Sequence, residues 1–290
     1  MKILVTGANG QLGTELHNVL ELTHPGLTTY TDVDTLDITN QDALKSFISK
    51  GEFTHIVNCA AYTAVDKAET EPAICNKINI DAVRNIAIAA SDCGAKVIHI
   101  STDYVFDGKA YKPYRESDKV NPVSTYGTSK RKGEMMLLSM CQDCIILRTA
   151  WLYSPYGNNF VKTMLRLGDE KPLLNVVYDQ VGTPTYAHDL AEAVTTILFA
   201  RQWISGIYHF SNEGVCSWYD FTKAIFREAN ITGCKVNAIL SEDYPTAAPR
   251  PHYSVLDKTL IKKTYGISIP NWEDSLRQCI GRIQSSSENS

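Results

Sequence analysis

Up to about residue 150, short apolar runs alternate with segments whose apolar positions recur at helical spacing. KILVTG (2–7) reads as a buried strand, followed by a helix from about Gln11 to Leu22. LTTYTD (27–32) predicts a second strand, with a helix near Gln41–Lys50 behind it. HIVNCAA (55–61) predicts a third, followed by one long helix over about Pro72–Cys93 and the strand KVIHIST (96–102). Strands this continuous in apolar residues suit a parallel sheet covered on both faces. The repetition of strand and helix points to an α/β, doubly wound fold of the Rossmann type.

After CIILRTAWLY (144–153) the pattern loosens. Loops at SPYGNN and DQVGTPT precede a helix near His188–Ala200, a strand at GIYHFS and a helix near Trp218–Ala229. AAPRPHYSVLD (247–257), punctuated by prolines, is expected to run extended before a final helix from about Trp272. The division that follows is a nucleotide-binding domain over 1–150 and a smaller substrate-binding α/β region over 151–284. Some segments of the second return to the first, and 285–290 (SSSENS) reads as a flexible tail.

Composition narrows the partners. With 290 residues, 44% hydrophobic and 21% charged, the chain can bury a full core and resembles a soluble enzyme in its makeup. A formal charge of −4 gives no general reason to expect nucleic acid or an anionic membrane, so an anionic substrate would need a local basic pocket. The apolar run in MKILVTGANG is too short for a signal peptide or a membrane span, so the chain is expected to be cytoplasmic, with its eight cysteines reduced. Cys141 and Cys144 form a CxxC without a second pair or a nearby His, and no metal site is expected.

Gly7, Gly10 and Gly13, with Gln11 and Leu12 between the last two, stand between the first strand and the first helix. Glycines so placed let the chain turn tightly, let backbone N–H groups approach a pyrophosphate, and let helix and strand pack closely. The helix N-terminus adds partial positive charge. Asp32, ending the second strand, sits where an acid would bond the ribose 2′-hydroxyl of NAD, and no Arg or Lys lies between Thr28 and Thr39 to receive a 2′-phosphate. These residues alone lean towards NAD(H), although Asp34 and Asp37 read equally well as loop acids.

Ser101 and Thr102 end a strand, and Tyr126 and Lys130 lie four apart, on one face of a helix. A ketone that accepts hydride develops negative charge on oxygen and needs a proton donor. A free Tyr phenol, with a pKa of about 10, holds its proton too tightly for this near neutrality. An ammonium on the same helix face favours the phenolate. Thr102, at the carboxyl end of its strand, can hold the substrate oxygen near Tyr126.

The order of glycine loop, Ser-Thr and Tyr-x-x-x-Lys resembles the extended short-chain dehydrogenase/reductases. GANGQLG, CAAYTAVDKAE (59–69), STDYVFDG (101–108), the YGTSK–GE run (126–134), RTAWLY (148–153), GNNFVKTML (157–165), DQVGTPT (179–185) and APRPHYS (248–254) narrow it. Together, across essentially the whole chain, they resemble the dTDP-4-dehydrorhamnose reductase family. The resemblance implies reduction of the C4 ketone of a dTDP-sugar, with NADP(H) as cofactor and NAD(H) as the alternative. It implies Tyr126 as general acid, Lys130 as its tuner and a ligand of the nicotinamide ribose, and Thr102 and Asp103 against the sugar. Ala61, Tyr62 and Thr63 would line the cofactor, with Asp37 and Ile38 near the adenine. Val65, Trp151 and Asn159 would meet the substrate, and Asn79 would support a proton relay. Arg250 would hold the diphosphate, with Lys162 as a second candidate. Nucleotide-sugar dehydratases carry Asp-Glu after the catalytic Thr; here Asp103 is followed by Tyr104, which favours reduction without elimination. Another 4-ketoreductase or a 4-epimerase remains open, as does a non-catalytic NADP-binding subunit, and a homodimer is an admissible assembly.

Overall fold

The computed structural model describes residues 1–288. Five strands of the first half, β1 (Ile3–Thr6), β2 (Thr28–Thr31), β3 (His55–Asn58), β4 (Lys96–Thr102) and β5 (Cys144–Thr149), lie parallel in one sheet. A sixth parallel strand, Gly206–His209, pairs with β5, giving the order (206–209)-β5-β4-β3-β1-β2. Strand order reverses between β1 and β3, so the carboxyl ends of these strands open a crevice there.

Alternation along the strands feeds two apolar layers. Ile3, Val5, Val57 and Ile98 pack under α1 (Gln11–Thr23) and the helix Ala187–Leu198. Leu4, Ile56, Val97 and Ile146 face α2 (Gln41–Gly51) and the helices of the opposite side. A third cluster, with Val161, Val176, Phe221, Ile225 and Leu276, gathers the helices Phe160–Glu170, Trp218–Glu228 and Trp272–Glu288 around a parallel strand pair, Leu173–Val177 with Lys235–Ile239.

One expectation gains an internal irregularity and two are corrected. The helix expected over 72–93 runs between those bounds as α4 (Pro72–Asn76), a π-helical turn over Lys77–Asp81 and α5 (Ala82–Cys93), and a separate short helix, α3 (Val65–Thr70), precedes it. Pro72 has no N–H to continue α3, and it opens α4 from the first turn. The tail expected at 285–290 starts too early, because the last helix runs on to Glu288. Ser285 and Ser286 donate their hydroxyls to the carbonyls of Gly281 and Arg282, so polar residues extend the helix instead of fraying it. The rest of that expectation, 289–290, lies outside the described residues. The loosened pattern after 153 also hides a regular helix at Phe160–Glu170 and two strands.

Candidate active site

The loop after β1 is shaped by what a side chain would strike. Gly7 has φ +69°, and a Cβ there would lie 2.6 Å from the backbone of Ala60. At Gly13 a Cβ would lie 2.3 Å from the Gly7 carbonyl, so helix and loop can close only over glycine. Gly10 caps α1 with no side-chain acceptor on the first-turn N–H groups, which leaves them to an anionic ligand. These features fit a dinucleotide. Asp32 accepts the Asn9 and Val33 N–H groups at 2.9 and 2.8 Å, so its carboxylate braces the loop as well as facing the cleft.

Two cavities meet at Gly7, Gly10, Cys59 and Ala61. One, of about 590 Å³, is lined by Asp32, Asp37 and Ile38, and its one basic residue is Lys77 from the π turn. Asp37 holds the Thr39 N–H and hydroxyl at 2.9 and 2.7 Å, bonds that keep its carboxyl below the usual range. The other, of about 510 Å³, takes in Gln11, Leu12, Gly13, Thr63 and Val65 on one side. Thr102, Asp103, Tyr126, Lys130, Trp151 and Asn159 line the other side.

Tyr126 and Lys130 stand on α6 (Thr125–Met140), which Ser124 caps by accepting the Gly127 N–H at 3.1 Å. Gly127 lets this helix rest against the Tyr104 carbonyl, where a Cβ would come within 2.2 Å. Gly133 does the same against the carbonyl of Asn79. Lys130 is only 2% exposed and donates to the Ile100 carbonyl at 2.7 Å. Burial brings its pKa down to about 8, against the pull of Glu134. Burial pushes the Tyr126 phenol up, and its hydrogen bond with Thr102 works the other way. Asp103, 3% exposed, accepts the Thr102 hydroxyl at 2.9 Å. Burial raises its pKa to about 7, and no cation pairs with it among the described residues.

A third cavity, of about 620 Å³, continues past Tyr104 and is lined by Asp66, Phe160, Trp218, Tyr244 and Arg250. Arg250 pairs with Asp66 at 2.5 Å and donates to the Tyr104 hydroxyl at 3.1 Å. Trp151, at φ +50°, stacks on Trp218 with centroids 3.5 Å apart, forming a wall between the second and third cavities.

Some sequence candidates are placed elsewhere. Tyr62 lines none of these cavities; its hydroxyl donates to Glu71 at 2.7 Å. Lys162 is also outside, at the start of its helix, where its N–H is capped by Asn159 at 3.1 Å. Asn79 uses its amide to clamp the Tyr62 backbone (2.9 and 3.1 Å) and to donate to Ser129 Oγ at 2.9 Å. That makes it a brace between the cofactor loop and α6. Sequence reasoning missed Tyr104, Asp66, Lys77 and Trp218. The first two lie inside quoted motifs and had a signal in their charge or hydroxyl, whereas Lys77 and Trp218 reach the cleft only through tertiary packing.

Comparison with known proteins adds to this geometry. Residues 1–285 match the family model described as the RmlD substrate binding domain. A dTDP-4-dehydrorhamnose reductase of Aggregatibacter actinomycetemcomitans is 43% identical over 95% of this chain and 97% of its own. A solved dTDP-4-dehydrorhamnose reductase from Clostridium acetobutylicum superposes with a TM-score of 0.94 at 44% identity, covering 98% of this chain and 100% of that one. The Bacillus anthracis enzyme of that name, solved in complex with NADP, gives 0.93 at 39% identity, covering 97% and 100%.

Proposed function

Because the chain belongs to the dTDP-4-dehydrorhamnose reductase family, we propose that it reduces the C4 ketone of dTDP-4-dehydro-β-L-rhamnose to dTDP-L-rhamnose. NADPH is the cofactor, with NADH as the alternative. The observation that carries the reading is the meeting of Thr102, Tyr126 and Lys130 in one buried cleft beside the open glycine cradle.

The bound cofactor supplies hydride to the ketone carbon. Gly7, Gly10 and Gly13 would hold its diphosphate, while Asp32, Asp37 and Ile38 would face its adenosine end. Tyr126 gives its phenolic proton to the substrate oxygen as charge develops there. The Lys130 ammonium, one turn on, stabilises the phenolate left behind. Thr102 orients the oxygen. With Asp103 ionised, the Thr102 hydroxyl donates to that carboxylate. With Asp103 protonated, the hydroxyl is free to donate to substrate, and a carboxyl titrating at about 7 makes both states accessible. Trp151 and Trp218 offer flat apolar faces to sugar and base, and Val65 borders the same space. Arg250 exchanges Asp66 for the diphosphate, and Asn159 holds the far lip of the cleft. No helix among the described residues is long and apolar enough to cross a membrane. The reading goes with a cytoplasmic enzyme and admits a homodimer.

The test is incubation of purified protein with NADPH and dTDP-4-dehydro-β-L-rhamnose, following 340 nm absorbance and the product by NMR. One NADPH oxidised per C4 alcohol formed is expected. Conversion without net NADPH oxidation would mean epimerisation, and no conversion would sink the reading.

A further inference from the structure

Glu134 lies one turn beyond Lys130 on α6 and is fully buried. Its carboxylate accepts from Arg148 Nε and Nη2, both at 2.8 Å, from Ser101 Oγ at 2.7 Å and from Arg131 Nη1 at 2.9 Å. Arg148 is itself 1% exposed, on β5, with its guanidinium 5.2 Å over the Phe106 ring. Burial alone would raise the Glu134 pKa, but the bonds and charge of Arg148 outweigh it and keep the group ionised.

The position of this pair is informative. Ser101 immediately precedes Thr102 on β4, and β4 pairs with β5 so that Ser101 stands opposite Arg148 and Thr102 opposite Thr149. One carboxylate therefore ties the helix that carries Tyr126 and Lys130 to the strand that carries Thr102. A fully buried ion pair is seldom a better source of stability than apolar residues of the same volume. Stability alone does not explain an ionised carboxylate here.

Lys130 supplies the second half of the case. Its ammonium is buried, bonds a carbonyl and forms no ion pair among the described residues. The titratable groups that act on it are Glu134 from α6, Cys59 after β3 and Cys75 from α4, His99 of β4 feels its charge, and Tyr126 lines the same cavity. Glu134 is the one carboxylate among them.

Resting on the reductase reading above, we propose that Glu134, clamped by Arg148 and Ser101, is a positioning residue for the reduction. It keeps Lys130 protonated and holds the Tyr126 helix in register with Thr102. Without its charge Lys130 sheds its proton at lower pH, and the phenolate of Tyr126 loses its counterion.

Two variants test this. Glu134→Gln keeps the shape but leaves Arg148 unpaired, which endangers folding. Glu134→Leu with Arg148→Met replaces both charges by apolar groups and is expected to fold. Lys130 is followed through the Cε resonance of ¹³C-labelled lysine against pH, and the alkaline limb of kcat/KM is recorded in parallel. In Glu134→Gln both move down by about one pH unit. In the double variant the loss of Arg148 offsets part of the change, and about half a unit is expected, with about a twofold fall in kcat at pH 8. A folded double variant whose Lys130 titration and kcat match wild type overturns the proposal. The NMR titration is independent of turnover, so an inactive wild type would defeat the functional reading while this proposal is still decided.

Discussion

Lys130 and Arg250 are cations of adjoining cavities held in contrasting ways. Lys130 sits on a long helix at the cleft floor, buried, with a strand carbonyl as its partner. Arg250 sits at the mouth between Pro249 and Pro251, on a segment with no regular structure, and its guanidinium rests on Asp66 from the short helix α3. Floor groups are fixed by sheet register, a capped helix and a brace of buried bonds around Asn79 and Glu134. The mouth depends on a partly exposed ion pair, and pairs of that kind contribute about 1 kcal/mol or less. A contact that weak can be given up for an anionic ligand, whereas the floor cannot be rearranged without moving the sheet. The floor is thus suited to chemistry and the mouth to affinity.

If that contrast holds, changes at the mouth should act on KM and leave kcat alone. Arg250→Met is expected to raise KM for the dTDP-sugar roughly 30-fold, the scale of lost charge-assisted hydrogen bonds, with kcat within about threefold. An equal fall in kcat would show that the mouth also shapes the chemistry. A smaller effect is expected at the adenosine end, where Lys77 is the basic residue facing Asp32 and Asp37. Lys77→Glu should raise the Kd of NADP⁺ relative to that of NAD⁺ by about tenfold, read by calorimetry, because only the former carries a 2′-phosphate. Equal changes for both cofactors would place Lys77 away from that group.

Asp103 sharpens the comparison from the floor side through stability. Its carboxyl is raised from 3.8 to about 7 by burial, so between those values the folded chain binds a proton that the unfolded chain has lost. Stability is therefore retained below about pH 4 and falls as pH rises towards 7. Asp103→Asn removes that loss. Urea titrations at pH 4.5 and 8 should show the variant gaining on wild type by about 2–3 kcal/mol at the higher pH. A difference independent of pH would mean that Asp103 is ionised in the fold without penalty.

The same contrast decides what the sequence reveals. The floor is legible because its constraints are local. Gly7 and Gly13 leave a spacing, Tyr126 and Lys130 share a helix face, and β1, β3 and β4 each carry a short apolar stretch that is buried. The π turn at Lys77–Asp81 is not legible, since no local periodicity marks it; in the fold its Asn79 carbonyl lies close against Gly133 of α6. Arg148 had a signal, as a charge inside the apolar strand CIILRT, but its partner Glu134 is identified only once β5 and α6 are packed. At the mouth, Trp218 and Asp66 come from separate segments joined by packing and by one ion pair, which no periodicity records.

The central claim is that Tyr126 supplies the proton from a preorganised floor. Rapid mixing of Tyr126→Phe and wild type with NADPH and dTDP-4-dehydro-β-L-rhamnose tests it most directly. The phenol is buried among Thr102, Tyr104 and Cys75, so removing one oxygen should leave the fold and the Kd of NADPH unchanged. The predicted result is a single-turnover rate reduced about 100-fold or more, the scale of losing a general acid, with NADPH affinity within about twofold. A variant that reduces the ketone at close to the wild-type rate would contradict the account.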